Sequence, residues 1–246
     1  MDKVVIVTGA GRGIGAAVAR RVAREGYAVA VNYRHNAVAA EAVVDEIRAA
    51  GGRALAVQAD VAVPEQVARL FATVERELGL PTALVNNAGI TGRLGQFSEA
   101  DPAMVEAVFQ TNVFGLMDCT RAAIAAFRRG GQGGVVLNIS STSAASGSPH
   151  DYVWYAASKA AVDAFTMGLG KELATEGIRV CGVAPGFTLT EIHAAAGEPD
   201  RVRRVTPRIP MQRPGEPEEI AEAVAWMLSP AASYVTATTM RCGGGV

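Results

Sequence analysis

Several features that would settle the class of a chain at once are absent from this one. No window of about 18 unbroken apolar residues occurs, so a membrane-spanning helix is not expected. Met1-Asp2-Lys3 leads straight into Val4-Val5-Ile6-Val7 without a basic stretch and a longer apolar segment, so a secretion signal is not expected either. Cysteine is scarce: Cys119, Cys181 and Cys242 are scattered and odd in number. That argues against a disulfide framework and against a metal site of paired cysteines, and no metal is expected. An excess of charge of one sign is missing too. The 23 Lys and Arg against 24 Asp and Glu leave a net charge of −1, which supplies no general attraction to nucleic acid or to a membrane. No run of Pro, Gly or Ser divides the chain into two cores, and there is no internal repeat. A reduced, cytoplasmic location is the plain expectation.

What is present suits one packed α/β domain spanning 1–246: 246 residues, half of them apolar, with 27 glycines. Short apolar runs alternate with longer amphipathic stretches, which predicts a doubly wound parallel sheet, Rossmann-like, with helices on both faces. Strands are predicted at Lys3–Thr8, Ala28–Tyr33, Ala54–Gln58, Ala83–Asn86, Val135–Ser140, Arg179–Ala184 and Thr238–Arg241. Continuous Val, Ile and Leu runs are expected where a sheet is covered on both sides. Helices are predicted to begin near Gly13, Ala37, Pro64, Asp101, Trp154 and Pro217, and proline costs little in a first helical turn. Ligands of such sheets sit beyond the carboxyl ends of the strands, so chemistry belongs in the turns after the first, fourth, fifth and sixth.

The first of these turns reads Thr8-Gly9-Ala10-Gly11-Arg12-Gly13-Ile14-Gly15. Glycine there permits a tight turn and a close approach of backbone to a pyrophosphate, whose charge meets free N–H groups at the helix start. Downstream, Tyr155 and Lys159 stand four residues apart, on one face of the helix near Trp154. A tyrosine ordinarily titrates near 10; a neighbouring ammonium and a positive nicotinamide favour its phenolate and lower that value. Ser141, at the end of the fifth strand, is placed to hydrogen-bond a substrate oxygen and hold a carbonyl toward the cofactor. Together these residues suggest hydride transfer between a nicotinamide and a carbonyl carbon, with tyrosine handling the proton on oxygen.

The spacing Thr-Gly-x-x-x-Gly-x-Gly resembles the short-chain dehydrogenase/reductase family, and the likeness continues over nearly the whole chain. Asn86-Asn87-Ala88-Gly89 is similar to a family segment that stabilises the central sheet and lines the adenosine side. Asp60-Val61 resembles the pair whose aspartate meets adenine, and Pro185-Gly186 with Thr190 resembles the turn beside the nicotinamide carboxamide. Asn112 resembles the family's proton-relay residue, which positions a water near the lysine, while Lys159 would also bind the nicotinamide ribose. Tyr155-Ala156-Ala157-Ser158-Lys159 is similar to the compact Tyr-x-x-x-Lys branch. Tyr152, seven residues before Lys159, matches the wider spacing of the enoyl-reductase branch and is read as a pocket wall. The interval from Ser141 to Tyr155 is one residue longer than the commonest family spacing, so Ser140 and Ser143 compete with Ser141.

Where family members that bind NAD(H) carry an acidic residue after the second strand, this chain has Tyr33 followed by Arg34. An acid there would bind the ribose diol and repel a 2′-phosphate. Arg34 and Arg12 are instead suited to clamp that phosphate, so NADP(H) is expected, with NAD(H) also accepted. The segment 187–215 is expected to form a lid over the substrate. Its arginines 201, 203, 204, 208 and 213 suggest either an anionic substrate or, preferred, pairing with neighbouring acids. His193 is expected at the surface; Gln96, Phe97, Tyr152 and Trp154 are candidate walls. Cys181 is expected to be a buried packing thiol. The resemblance implies a homotetramer acting on a small-molecule carbonyl or alcohol, with a ketone or sugar-like polyol ahead of a 3-oxoacyl thioester. The expectation from another class is a non-catalytic NADP(H)-binding sensor.

Overall fold

The structure, a computed structural model, describes residues 3–246. Met1 and Asp2, on which the amino-terminal expectation partly rests, lie outside the described residues. Runs such as Val4–Val7 and Ala28–Val31 are almost wholly buried. β-Branched and small residues make such runs good strands when helices cover both faces. In chain order the elements are β1 (Lys3–Val7), α1 (Gly13–Arg24), β2 (Tyr27–Tyr33), α2 (Ala37–Ala49), β3 (Ala54–Gln58), α3 (Pro64–Glu77) and β4 (Ala83–Asn86). There follow α4 (Pro102–Phe109), α5 (Leu116–Gly130), β5 (Gly134–Ile139), α6 (Ser143–Ser146), α7 (Val153–Glu172) and β6 (Ile178–Pro185). The described chain closes with α8 (Ile192–Ala195), α9 (Arg201–Val205), α10 (Pro217–Leu228) and β7 (Thr238–Cys242).

Seven strands form one sheet in the order β3-β2-β1-β4-β5-β6-β7, and every adjacent pair is parallel. The strand order reverses between β1 and β4, which opens a crevice at their carboxyl ends. Alternation along β1 shows how the sheet is covered. Val5 and Val7 pack with Val18, Val44 and Val224, on the face of α1, α2 and α10. Val4 and Ile6 pack with Leu70, Val74 and Ala123, on the face of α3 and α5.

The predicted bounds of the third and fourth strands coincide with the observed ones, and the others shift by a residue at their ends. Asp101 caps α4, its carboxylate accepting from Ala103 N at 3.0 Å. A feature the sequence pattern did not show is a π-helical turn, Gln110–Gly115, that joins α4 to α5. A Cβ on Gly115 would stand 2.6 Å from the Val61 carbonyl, so only glycine lets this turn pass the loop after β3. Asn86 and Asn138 bind β4 and β5 to the helices: Asn86 Nδ2 donates to Thr120 and Asn138, and Asn138 Nδ2 to Thr166, each at 2.9 Å.

Candidate active site

The crevice begins where β1 ends. Thr8 Oγ1 accepts from the Asn87 and Ala88 amides at 3.0 Å, and Asn87 Nδ2 donates to the Thr8 and Gly9 carbonyls. These bonds lock the turn after β1 to the turn after β4. Gly9 and Gly13 take φ of +62° and +52°, the left-handed region that glycine enters freely. A Cβ on Gly15 would fall 2.4 Å from Asn87 Nδ2. Neither a side-chain cap nor an acidic first-turn residue occupies the start of α1, so its amides face the crevice with their positive partial charge. An anionic pyrophosphate fits that cradle.

Nearly all the residues expected around a dinucleotide line one cavity of about 480 Å³. Gly9, Arg12, Gly13, Ile14 and Gly15 come from the first turn, Tyr33 and Arg34 follow β2, and Asp60 and Val61 follow β3. Asn87, Ala88 and Gly89 follow β4, while Tyr155, Lys159, Pro185 and Thr190 close the other end. Gly186 is the exception. It packs against the end of β7, where a Cβ would meet Gly243 Cα at 2.7 Å, and its amide donates to the Cys242 carbonyl. Arg34 Nε is ion-paired with Asp60 Oδ2 at 2.7 Å, its side chain half exposed. Asn32 was missed by sequence reasoning: its Oδ1 accepts from Gly9 N at 3.2 Å, and its Nδ2 donates to the Val57 and Ala59 carbonyls. A polar residue within an apolar strand was the available signal.

Tyr155 and Lys159 are buried on the first turns of α7. Ser141 Oγ lies near enough to the Tyr155 hydroxyl to favour its phenolate, and accepts from Ser143 N at 3.1 Å. Ser140 Oγ points instead to the Lys159 carbonyl, at 3.4 Å. Of the three competing serines, Ser141 is therefore the one that meets the phenol. Between Ser141 and Tyr155, Ser148 and His150 take positive φ in the turn before α7. Lys159 Nζ donates to the Ile139 carbonyl at 2.7 Å and lies 5.8 Å from the centre of the Tyr155 ring.

The protein's own groups act on the titration of this pair chiefly through burial. Burial, reinforced by Tyr152, pushes the Tyr155 phenol above its ordinary value, and the nearby Ser141 hydroxyl only partly opposes that. Burial also lowers Lys159, to about 8, against the pull of Asp163. Desolvation thus disfavours the charged form of both groups.

Asn112 sits in the π turn, one of the irregular turns that often mark functional positions. Its side chain does not line the cavity. Oδ1 accepts from Ile90 N at 2.8 Å, and Nδ2 donates to the Ile90 carbonyl at 2.9 Å and to Ser158 Oγ at 3.1 Å. Gly89 connects it to the lysine: a Cβ there would stand 3.3 Å from Asn112 Oδ1 and 3.5 Å from Lys159 Nζ.

Segment 187–215 covers the Tyr155 end. It is closed on itself by the Leu189 N to Gly215 O bond and tied to the loop after β4 by Leu94 N to Ala196 O. Four of its five arginines pair with carboxylates: Arg201 with Asp151 and Glu198, Arg203 with Asp200, Arg204 with Glu198, and Arg213 with Glu219; Arg208 makes no ion pair among the described residues. Tyr152 packs edge-on against Tyr155, and its hydroxyl is 3.3 Å from Arg201 Nη2. Trp154 is buried, with its indole N–H on the Thr91 carbonyl, whereas Gln96 and Phe97 stand at the surface and wall nothing. His193 is likewise not where it was expected. It is buried and lines the cavity, because α8 turns it inward beside Thr188. Cys181 is buried as expected, its thiol raised by burial.

Among the described residues, no group of three or more His, Cys, Asp and Glu could hold a metal, and no helix is long and apolar enough to cross a membrane. Comparison with known proteins gives consistent results. A family model described as enoyl-(acyl carrier protein) reductase matches residues 9–246. The oxidoreductase YgfF of Escherichia coli is 46% identical, over 98% of this chain and 99% of its own. The 3-oxoacyl-[acyl-carrier-protein] reductase FabG of Staphylococcus aureus is 38% identical, over 100% of this chain and 98% of its own. Among solved structures, a short-chain type dehydrogenase/reductase from Mycobacterium marinum superimposes with a TM-score of 0.92 at 35% identity, covering 99% of this chain and 94% of its own. A dehydrogenase/reductase from Sinorhizobium meliloti gives 0.91 at 37%, with the same two coverages.

Proposed function

This chain belongs to the short-chain dehydrogenase/reductase family, an NAD(P)-dependent family of oxidoreductases, and from that premise we propose that it interconverts a small ketone or aldehyde and its alcohol, preferring NADP(H). The observation that carries this reading is the convergence of Tyr155, Ser141 and Lys159 at one end of a cavity whose other end is the glycine turn. When bound, the nicotinamide supplies or accepts the hydride. The protein's own groups do the rest. Ser141 orients the carbonyl oxygen and Tyr155 gives it a proton in reduction, or takes that proton in oxidation. Lys159 binds the ribose and, while charged, favours the phenolate. Asn112 holds the loop at Ile90 and, with Gly89, positions the relay toward Lys159.

Carbonyl rather than alkene reduction is supported by the two tyrosines. Tyr155 meets Ser141, whereas the Tyr152 hydroxyl is engaged with Arg201. The preference for NADP(H) is supported by Tyr33 in place of an acid and by Arg12 and Arg34 at the adenosine end of the cavity. Further parts of the reading are a homotetrameric assembly, checked by mass in solution, and a cytoplasmic setting.

A 3-oxoacyl thioester is the second reading, favoured by the FabG relative. Against it, Arg201, Arg203, Arg204 and Arg213 of the lid are already paired with carboxylates of this chain, which leaves Arg208 as the one lid arginine without such a partner among the described residues.

The test is consumption of NADPH and NADH across ketones, sugars and acyl thioesters, comparing wild type with Tyr155→Phe. Turnover reduced by roughly 10²–10⁴ in the variant, with cofactor binding intact, is the expected result. Cofactor binding without turnover in either protein would favour a non-catalytic NADP(H) sensor instead.

A further inference from the structure

His193 is a buried polar residue that the hydride-transfer reading leaves unused. It lines the same cavity as Tyr155 and Ser141. Its Nε2 lies 3.3 Å from the Thr188 carbonyl. A carbonyl oxygen only accepts, so the proton is on Nε2 and Nδ1 carries the lone pair. No described residue donates to Nδ1, and this atom is not one of the sealed, unpaired polar atoms of the interior. Nδ1 is therefore open to a donor from outside the protein, on a residue that lines the cavity. Burial keeps the imidazole neutral by lowering its pKa; Arg201 works the same way, and the Thr188 carbonyl and Glu198 oppose it.

Several of the other polar groups of the cavity already have partners, while Thr190 and Glu191 lie toward the Gly13 turn. Thr188 Oγ1 donates to the Gly186 carbonyl, Lys159 Nζ to Ile139, and Ser141 lies beside Tyr155. Arg201, whose charge acts on His193 from the lid, is paired with Asp151 and Glu198. The substrate end thus offers donors for the reacting carbonyl, a neutral acceptor in His193, and no arginine without a carboxylate partner beside it.

We propose that His193 is a specificity-determining residue whose Nδ1 accepts a hydrogen bond from a hydroxyl beside the reacting carbonyl, so that the substrate class is an uncharged hydroxy ketone or hydroxy aldehyde. This rests on the reductase reading above and narrows it. In the reaction the carbonyl carbon gains a hydride and its oxygen gains the Tyr155 proton. The hydroxy ketone becomes a diol, and the reduced nicotinamide is oxidised. The hydroxyl itself keeps its proton throughout and serves as a handle. A buried acceptor left without a donor penalises any analogue that lacks the hydroxyl.

The probes are hydroxyacetone and butanone, which have the same number of heavy atoms and differ in that hydroxyl. Wild type is expected to favour hydroxyacetone by about 10-fold or more in kcat/KM, and His193→Leu to lose about 10- to 100-fold on hydroxyacetone while butanone changes less than about 3-fold. His193→Gln, whose amide can both donate to Thr188 and accept from the substrate, retains most of the preference. This variant and the wild-type preference decide the matter even if His193→Leu fails to fold. Equal losses on both ketones, or a loss that follows KM for NADPH, overturn the assignment. Wild type that reduces other carbonyls without favouring the hydroxyl overturns it alone. Bound cofactor with no turnover of any carbonyl overturns the reductase reading as well.

Discussion

The ammonium of Lys159 lies 5.8 Å from the centre of the Tyr155 ring yet directs its hydrogen bond to the Ile139 carbonyl, 2.7 Å away. The two groups are neighbours whose charged forms are both opposed by burial, upward for the phenol and down to about 8 for the lysine. For Lys159 the consequence for stability has a definite sign. Between about pH 8 and the ordinary lysine value of 10.5, the unfolded chain holds more protons than the folded one. Stability from this residue therefore rises with pH across that window, and below it the full cost of burying the charge is present. Above pH 10 the raised tyrosine acts the other way, because unfolding then releases its proton. The expected result is that wild type gains on Lys159→Met in Tm by roughly 3 °C or more from pH 8 to pH 10, measured by thermal melts in matched buffers. A difference that stays flat with pH would mean that Lys159 is not held below its ordinary value.

The adenosine end gives a second prediction. Arg34 is held by Asp60 in an ion pair that is half exposed and therefore weak. A 2′-phosphate competes for the same guanidinium with two charges and bidentate geometry. Arg34→Ala is expected to raise KM for NADPH by about 10- to 100-fold and to leave KM for NADH within about 3-fold. Steady-state kinetics with both cofactors decide it. An equal loss on both would place Arg34 in the architecture of the turn and leave the phosphate unread.

Much of this was legible from residue order because the central strands are periodic and the helices announce themselves. Pro64 and Pro217 open α3 and α10, and Gly13 opens α1, where a local signal coincides with the observed boundary. The glycine turn was legible for the same reason, since Gly9 and Gly13 need φ that other residues resist. The π turn at Asn112 was not, because its cause is remote: Gly115 must pass Val61, more than fifty residues away in the chain. His193 was misplaced for a similar reason. Nothing in α8 itself says which way it faces; tertiary bonds at Leu94 and Gly215 set that. Sequence alone could not foresee the shifts of Tyr155 and Lys159 either, because they arise from burial by distant segments.

Gly89 offers a direct test of the link between Asn112 and the lysine. Its φ lies outside the left-handed region, so alanine brings no backbone strain, but the added methyl would stand 3.3 Å from Asn112 Oδ1 and 3.5 Å from Lys159 Nζ. The first contact is tight enough to displace Asn112 by a few tenths of an ångström while the second is an ordinary one, and a relay is sensitive to such a shift. Gly89→Ala is expected to lower kcat by about 10- to 100-fold while Tm falls by less than about 3 °C. A variant with unchanged kcat would show that the space between these two residues plays no part in turnover.

Arg201 is the largest of the fully buried side chains among the described residues, 1% exposed, and it joins the lid to the site. Nη2 meets Asp151 Oδ2 at 2.7 Å and Nη1 meets Glu198 Oε2 at 3.1 Å, while the guanidinium carbon lies 4.9 Å from the centre of the Tyr152 ring. Tyr152 in turn packs edge-on against Tyr155, so the arginine bears on the catalytic end through one aromatic ring. Removing it leaves Asp151 without this partner and Glu198 with Arg204 alone, each carboxylate still about a third exposed to water, which places the cost below that of a fully buried pair. Arg201→Met is expected to cost about 1–3 kcal/mol, a fall in Tm of roughly 3–10 °C. Amides of α8 and α9 should then exchange faster while those of β1 and β4 do not, because the lid loosens before the sheet. Arg201→Lys should recover little, since one ammonium cannot present the planar fork that reaches both carboxylates and covers the ring. Hydrogen exchange on both variants checks this, and a lysine variant indistinguishable from wild type would show that charge alone, without the fork, holds the lid.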